Sequence, residues 1–498
     1  MSAFAPLPLG QRIPASLHAV SCSLPTMAAV RGYEEKDPAV TRHMTSGYPR
    51  FVVHPLLQQL AVELAHQHQL GDQPLWLVSS AAMAGRLAAH LGAMAVRVND
   101  HGVHGVAHPP SPELAARAKV FLQNVGGFLS SRAAEDELVR RGLRPAAEPE
   151  ELFAGDALAE VRRQLRPAFP GVADADLLLA SCGMNAVDTA FRAISELQAA
   201  RGRTVWIQLG WLYLDTIALL QKFTPKPGDY VYARDVFDLA ALEKILAAHA
   251  GRVAGIVAEV PTNPLIQTPD VAAIAALARR HGARVVLDPS IASAFNLEVL
   301  PQADVVVTSL TKYAANAGDL TAGLVVVNPA SPDAAPLRRI IAGQLEPPYA
   351  RDLARLAVEI SRTAGVLARI HASVPPVVAF LEKHPAVHEV FWALHPASRA
   401  NYLRVARAPG AVGGMITFTL RGSLAEFYDR LRLPKGPSFG MATTLICPFM
   451  YLAHYDLVTT DAGRAELAAS GLNPDLLRLS IGTEPVADII ATLAEALG

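Results

Sequence analysis

The segments 252-RVAGIVAEVPTNP-264, 283-ARVVLDPS-290 and 303-ADVVVTSLTKY-313 decide the fold of this chain. Each begins with a short apolar run that is rich in β-branched residues and lacks polar alternation, which is typical of a strand buried on both faces of a parallel sheet. Residues 271–282 lie between the first two runs, have helical spacing and end at Gly282, so the order is strand, helix, strand. We therefore predict an α/β fold.

Each of these three strands ends in a polar residue. Asn263, Asp288 and Lys312 follow one another at intervals of 25 and 24 residues, which are crossover lengths. In open α/β sheets, ligands bind beyond the carboxyl ends of the strands, so these side chains are predicted to meet there. Taken singly, the lysine could lie at the solvent rim, the aspartate could cap a helix and the asparagine could make a turn. Three such positions in successive units favour a site.

An amine, a carboxylate and an amide at one sheet edge suit pyridoxal phosphate. Lysine forms a Schiff base with its aldehyde, and a carboxylate keeps its pyridine nitrogen protonated. An amide can donate to the phenolic oxygen, and the hydroxyls of Ser309 and Thr311 can reach the phosphate.

The blocks AEVPTNP, VVLDPSIAS and TSLTKYAANAGDLTAGLVVV resemble the Cys/Met-metabolism enzymes that use pyridoxal phosphate, the cystathionine γ-synthase family. The resemblance implies that Lys312 is the Schiff-base lysine, Asp288 the partner of the ring nitrogen and Asn263 the contact of the ring oxygen. It also implies that Ser309 and Thr311 bind the phosphate. Pro289 replaces the asparagine that usually follows the aspartate.

Further cofactor contacts are implied nearer the N-terminus. Tyr48 and Arg50 resemble a Tyr-x-Arg arm that reaches into the neighbouring subunit and grips the cofactor phosphate, for which the planar fork of arginine is well suited. Gly183 and Met184 resemble the Ser-Ser-Gly-Met loop, at a helix start where free N–H groups favour a phosphate. Cys182 replaces a serine there and is expected to pack as a small thiol.

Three more positions concern catalysis and the substrate. Tyr213 matches the tyrosine that stacks on the pyridine ring, with Trp211 as its competitor, although the usual Tyr-Gly-Gly-Thr is Tyr-Leu-Asp-Thr here. Ser438 matches a serine on the substrate side. Arg478 matches the arginine that clamps the α-carboxylate, and its alternative is a surface ion pair with Asp475 or Glu484.

Composition bounds the remaining possibilities. The chain has 498 residues, of which 51% are hydrophobic and 18% charged, so it can bury a large core. A formal net charge of −1 offers no electrostatic footprint for nucleic acid or an anionic membrane. Three scattered cysteines argue for a reducing compartment, and we see no secretory signal or membrane-length apolar run. A cytoplasmic enzyme is expected.

Four parts are predicted along the chain: an N-terminal arm at 1–55, an additional α/β segment at 56–170, a large cofactor-binding domain at 171–335 and a C-terminal domain at 336–498. Residues 1–30 are expected to be an arm or a poorly ordered tail. The extra segment makes the distance from the arm to the phosphate loop about a hundred residues longer than in most of the family. Its histidines, His101, His104 and His108, form a weak metal pattern, and no metal site is predicted.

The resemblance implies the fold called type I among transferases that depend on pyridoxal phosphate. This fold has a large domain with a mixed, mainly parallel seven-stranded sheet and a smaller α/β C-terminal domain. The resemblance also implies a homodimer or homotetramer with active sites shared between subunits. The favoured reaction is cystathionine γ-synthase, in which O-acylhomoserine and cysteine give cystathionine in transsulfuration and methionine biosynthesis. Lys312 would carry most of the proton traffic, assisted by Tyr213. Cystathionine or methionine lyase and O-acylhomoserine sulfhydrylase stay open, as does a non-catalytic protein that binds pyridoxal phosphate.

Overall fold

The computed structural model describes residues 4–48 and 52–498. Its large sheet has seven strands in the spatial order Leu177–Ala180, Gly323–Val327, Val305–Ser309, Arg284–Asp288, Val253–Glu259, Val205–Leu209 and Tyr230–Ala233. Only Gly323–Val327 runs antiparallel to its neighbours, because every other pairing in this sheet is parallel. The predicted mixed, mainly parallel sheet is confirmed.

Helices pack against this sheet and make up much of the rest of the described chain. The helix over Val271–Arg280 follows the predicted periodicity, and Gly282 ends it in a left-handed conformation with a φ of +67°. The helices of the described residues are Met27–Glu34, Pro38–Thr41, Pro55–Gln67, Ala81–Leu91, Pro112–Val125, Ser131–Arg140, Ala157–Leu165, Gly183–Ala199, Leu214–Phe223, Leu239–Ala248, Val271–Arg280, Ala334–Gln344, Ala350–Ser361, Thr363–Lys383, Arg399–Val405, Leu424–Arg430, Phe449–Ala453, Tyr455–Thr459, Asp461–Ala469 and Val486–Leu497.

The C-terminal part has its own four-stranded antiparallel sheet. The spatial order of its strands is Val387–Trp392, Met415–Leu420, Leu477–Ser480 and Leu445–Pro448. The helix Thr363–Lys383 packs on this sheet and on the final helix, which buries residues such as Ile370 and Val377. This helix is long and apolar enough to resemble a membrane span by composition. The core helix of a globular domain can have the same length and composition, and this helix buries one side against the C-terminal sheet.

The extra segment has the predicted α/β character. Three antiparallel strands, Leu75–Val78, Val103–Ala107 and Val96–Asp100, pair in that spatial order, with the central strand reached by a tight turn at 101–102. The three histidines do not converge, since His108 bonds to Trp76 and Pro109. No cluster of three metal-ligating side chains occurs within 4–48 and 52–498. The four predicted domain boundaries stay predictions.

Of the two alternatives for residues 1–30, the arm describes residues 4–30 and the poorly ordered tail does not. Arg12–Ile13 pairs with Ser21–Cys22, and the Ser21 hydroxyl donates to Pro437 O at 2.6 Å. Leu24 is buried, and its carbonyl accepts from the Tyr428 hydroxyl at 2.9 Å. Apolar side chains of this proline-rich stretch pack against the C-terminal part of the chain. Composition alone does not predict this long-range packing.

Candidate active site

A cavity of about 480 Å³ opens at the carboxyl ends of the large sheet. Its walls come from the sheet edge, from the C-terminal part and from residues of the extra segment. Of the side chains predicted to form the site, those within the described residues line this one cavity: Tyr48, Gly183, Met184, Tyr213, Asn263, Asp288, Ser309, Thr311, Lys312, Ser438 and Arg478. Arg50 lies outside the described residues.

Lys312 is held by two hydroxyl groups. Its Nζ contacts the Tyr48 hydroxyl and lies 3.5 Å from Ser438 Oγ, while these two hydroxyls are 2.8 Å apart. The same Nζ lies 4.3 Å from the centre of the Tyr48 ring and 4.6 Å from that of Phe439. The amine therefore has partners that can share its proton and aromatic faces that stabilise its charge.

Ser438 occupies a backbone conformation that L-residues rarely adopt. Its φ is +90°, and the side chain is 5% exposed. This conformation aims the hydroxyl at Tyr48 and leaves the carbonyl to accept from Arg478 at 3.3 Å. Strain of this kind costs on the order of 1–3 kcal/mol and is typical of functional sites. The sequence placed Ser438 on the substrate side but gave no indication that it contacts Lys312.

Asp288 ends its strand at the wall of the cavity. The backbone N–H and the hydroxyl of Ser290 both donate to its Oδ1, at 2.8 and 2.5 Å. Burial raises the pKa of Asp288 to about 6, and the two bonds from Ser290 and the charge of Lys312 act in the opposite direction. A nearby positive charge would stabilise the ionised form of this buried carboxyl group. A protonated ring nitrogen would supply that charge, in agreement with the predicted contact.

Glu259 is a site residue that the sequence reasoning missed. It pairs with Asp288 in the parallel register, is 5% exposed and accepts from the Tyr213 backbone N–H at 2.5 Å. Burial first, and then the charge of Asp288, raises the pKa of Glu259 well above its usual range. Its position at the end of a buried strand carried the same indication as that of Asp288.

Arg478 lies on the strand Leu477–Ser480 of the C-terminal sheet and is 8% exposed. Its guanidinium donates to Asn263 Oδ1 at 3.4 Å and to the Ser438 carbonyl, and it lies 4.6 Å from the centre of the Phe449 ring. No carboxylate of the described residues pairs with it within 4.0 Å, so the alternative of a surface ion pair is wrong. The candidate partner Glu484 instead accepts from Thr444. A buried arginine with only neutral acceptors suits an anionic ligand.

The opposite end of the cavity begins at the helix Gly183–Ala199. A Cβ added at Gly183 would lie 2.9 Å from the Cβ of Ser309. The glycine therefore lets the start of the helix approach the strand Val305–Ser309, which precedes Lys312. Cys182 caps this helix without a side-chain bond to it, and burial raises the pKa of its thiol. The Thr311 hydroxyl already donates to Ala322 O and accepts from Ala322 N. Its role at a phosphate stays a prediction, as does that of Ser309.

Tyr213 lines the cavity, and its competitor Trp211 does not. The Trp211 indole is 9% exposed and donates to His454 at 3.2 Å, with Tyr232 packed at its edge. Tyr213 precedes the helix Leu214–Phe223, and its backbone is fixed by Glu259. Of the two aromatic residues, only Tyr213 is placed where it can contact a ring in the site.

Tyr48 lies in the site of its own chain. The resemblance implied that this tyrosine reaches into a neighbouring subunit, whereas its hydroxyl here contacts Lys312 and Ser438 of the same polypeptide. Burial raises the pKa of Tyr48, so the phenol stays protonated at neutral pH. The predicted reach of this arm into a neighbouring subunit stays a prediction.

Pyridoxal phosphate fits the residues present. Its phosphate suits the helix start at Gly183 and Met184, and its ring nitrogen suits Asp288. Glu259 Oε2 is buried and has no hydrogen-bond partner among the described residues, which indicates that this polar wall is completed by something other than the protein chain. Lys312 would supply the amine, and Asn263 would contact the ring oxygen.

The chain is similar to known proteins over most of its length. A sequence model of the family described as "Cys/Met metabolism PLP-dependent enzyme" matches residues 171–498. The chain is 42% identical to an L-2-amino-4-chloropent-4-enoate dechlorinase/desaturase from Streptantibioticus cattleyicolor, over 95% of this chain and 94% of that protein. It is 27% identical to cystathionine γ-synthase of Neurospora crassa, over 99% and 98% of the two chains.

A solved structure shows the fold. Cystathionine γ-lyase from Lactobacillus plantarum, complexed with L-serine, superposes with a TM-score of 0.58 at 23% identity and covers 69% of this chain and 86% of that one. The predicted fold type I architecture is therefore confirmed.

Proposed function

Because the chain belongs to the Cys/Met metabolism family of enzymes that depend on pyridoxal phosphate, we propose that it removes a leaving group from Cγ of an L-amino acid. The single observation that carries the proposal is the pairing of Lys312 with Arg478 across Ser438. This arrangement places a base, Lys312, near a binding group for the α-carboxylate, Arg478. Abstraction of a proton from Cα needs both groups in these positions.

The cofactor would be held by the residues assigned above. When bound, pyridoxal phosphate supplies an aldehyde for the amine and a ring that accepts electrons from Cα. Asp288 and the buried Glu259 hold a proton at the edge of the sheet, since burial raises both of their pKa values.

The chain's own side chains then carry the protons. Lys312 Nζ takes the proton from Cα, and the Tyr48 and Ser438 hydroxyls hold that nitrogen in place. Arg478 fixes the α-carboxylate with its planar fork. A second proton leaves Cβ as the group at Cγ departs, and one proton is then returned to carbon by Lys312. The net change is the loss of one molecule of acid and the gain of one carbon–carbon π bond, so no oxidant is needed.

We favour elimination of chloride, or of a similar leaving group, from an unsaturated amino acid. The support is the 42% identity with a dechlorinase/desaturase over nearly the whole chain, the extra segment included. That segment and the residues before it add apolar side chains to the cavity, Val53, Leu57 and Leu129, which suit a hydrocarbon side chain rather than a charged acyl group.

The second candidate is cystathionine γ-synthase, in which cysteine replaces the acyloxy group of O-acylhomoserine. Its support is the similarity to the Neurospora crassa synthase over the full length. A role in methionine biosynthesis follows only if this candidate holds. Assembly as a homodimer or homotetramer and a cytoplasmic location stay predictions.

One product analysis separates the candidates. Purified protein loaded with pyridoxal phosphate is incubated with 2-amino-4-chloropent-4-enoate and with a panel of O-acylhomoserines, each with and without cysteine. Chloride is measured by ion chromatography and organic products by mass spectrometry. We expect chloride release that needs no cysteine. Cystathionine formed only with cysteine would support the synthase instead.

The controls for this assay replace lysines. Lys312→Ala is expected to lose the lysine-linked chromophore and to lower turnover by about 10²- to 10⁴-fold, the usual contribution of a positioned proton-transfer group. Lys244→Ala, on the exposed face of another helix, is the matched control and leaves both unchanged. Turnover that survives Lys312→Ala would contradict the assignment of the base.

A further inference from the structure

A phenylalanine ring contacts the two cations of the site. Phe439 lines the cavity and is 7% exposed. Lys312 Nζ lies 4.6 Å from the centre of its ring, and the guanidinium carbon of Arg478 lies 5.4 Å from the same centre. An aromatic face attracts a cation within about 6 Å, and the attraction is stronger where water is excluded. One side chain therefore stabilises both the assigned base and the assigned carboxylate-binding group.

The loop that carries Phe439 is fixed to both of the elements that carry these cations. The residues on either side of it have a positive φ, +90° at Ser438 and +71° at Gly440. A Cβ added at Gly440 would lie 3.2 Å from the Cβ of Lys312, so the loop lies directly against the lysine. The Gly440 backbone N–H donates to Ser480 Oγ at 2.9 Å, at the end of the strand on which the guanidinium lies.

The ring of Phe439 also has a firm support in Tyr313, the residue after Lys312. The two ring centres are 6.3 Å apart with an angle of 64° between the ring planes, which is an edge-to-face arrangement. Tyr313 is buried, and its hydroxyl donates to Ile291 O at 2.8 Å and accepts from Gly414 N at 2.9 Å. Because this hydroxyl is anchored by two backbone groups, the tyrosine holds the phenylalanine ring in one position.

We propose that Phe439 is a positioning residue whose ring holds the amine of Lys312 and the guanidinium of Arg478 in the arrangement that proton abstraction from Cα needs. The amine must reach Cα while the guanidinium binds the carboxylate on the same carbon, and a misplacement of about 1 Å is costly in such a geometry. A leucine would fill much of the space but would attract neither cation. The proposal rests on the proposed function, from which it takes the roles of the two cations, but not on the identity of the leaving group.

Fluorinated phenylalanines at position 439 test the proposal with little change in the shape of the side chain. One, two or three fluorines on the ring draw charge from its face and weaken its attraction for a cation. The probe is L-norvaline, an amino acid without a leaving group, added to protein loaded with pyridoxal phosphate. Its dissociation constant is measured from the absorbance of the lysine-linked chromophore. Exchange of its Cα proton for solvent deuterium is followed by NMR.

We expect the dissociation constant to rise and the exchange rate at saturation to fall with each added fluorine. The change should reach about 3- to 30-fold with three fluorines, the range of a cation–π interaction. Values that stay constant along the series would show that Phe439 only fills space, and a change in one quantity alone would show that the ring acts on one cation. Either result overturns the proposal. If wild-type protein has no lysine-linked chromophore and exchanges no proton, the proposed function itself fails.

Leucine variants give a second measurement. Phe439→Leu should change both quantities. Phe449→Leu removes a ring that lies 4.6 Å from Arg478, so it should weaken binding with a smaller effect on exchange. Phe391→Leu is the matched control, because this ring packs against His395 on the C-terminal sheet, and it should change neither quantity. Equal changes in Phe439→Leu and Phe391→Leu would contradict the proposal. The fluorinated series decides it if Phe439→Leu does not fold.

Discussion

The carboxyl edge of the large sheet and the covering segment at 112–133 line the same cavity but are built differently. At the sheet edge, Glu259, Asp288 and Lys312 follow strands that are adjacent or nearly adjacent in space. In the covering segment, residues such as Gly126 and Arg132 matter through what they contact far away in the sequence. The ionisable groups of the site are therefore concentrated at the sheet edge, whereas the covering segment supplies part of the cavity wall.

The largest expected effect that separates the two regions concerns Asp288→Asn in the cofactor-free protein. The folded chain holds this proton up to about pH 6, whereas an ordinary aspartate releases it near 3.8. Folding stability therefore falls as the pH rises from about 4 to 6, by about 3 kcal/mol in all. Asparagine mimics the protonated form and should remove this loss. Urea unfolding at pH 4 and pH 8 measures it.

The control for that experiment is Asp319→Asn, which changes a carboxylate of the covering interface. Arg355 pairs with Asp319 at 3.0 Å, so its removal should destabilise the protein at pH 8 rather than stabilise it. If both variants change stability in the same direction at pH 8, the electrostatic distinction between edge and cover is wrong.

A smaller effect, on the catalytic efficiency, is expected for Arg478→Lys. This substitution keeps the positive charge but loses the planar guanidinium, which can donate two hydrogen bonds to one carboxylate. We expect kcat/KM to fall about 10- to 100-fold, the value of one or two charge-assisted hydrogen bonds. The lysine-linked chromophore should remain, because Arg478 is assigned to the substrate rather than to the cofactor. Steady-state kinetics and absorbance spectra measure the two quantities separately. Loss of the chromophore would assign Arg478 to cofactor binding instead.

The smallest expected effect is on the cover. Gly126→Ala should lower the free energy of unfolding by about 2 kcal/mol more than Gly142→Ala and should accelerate cofactor release. Both glycines have a positive φ, 66° and 72°, but a Cβ at Gly142 would meet nothing within 4 Å. The pair therefore isolates the contact with Cys182. Equal changes in the free energy of unfolding for the two variants would mean that Gly126 is not in close contact with the phosphate loop.

Prediction from sequence succeeded where the pattern was local. The strands and the helix between 252 and 313 were predicted because buried apolar runs and a terminal glycine are short-range patterns. Tyr213 was preferred to Trp211 because it matches the family's motif, and it lines the cavity, but its role as the ring partner stays a prediction. Glu259 was missed although it has the same position, because no chemical role had been assigned to a second carboxylate beside Asp288.

Prediction was incomplete where contacts connect distant parts of the chain. An arm and a poorly ordered tail were both left open for residues 1–30, and only the structure shows Leu24 buried against a region about 400 residues away. The ion pair that was considered as the alternative for Arg478 does not form, because Glu484 is engaged by Thr444. Neither outcome could be derived from composition or spacing.

The sequence by itself determined the sheet, the family and the meeting of Lys312 and Asp288 in one site, because residues at the ends of buried parallel strands must converge at one edge. Only the tertiary structure decided that Ser438 contacts that lysine and where the extra segment lies. Both depend on packing between segments that are far apart along the chain. The free energy of such contacts comes from burial and paired charges that no local pattern encodes.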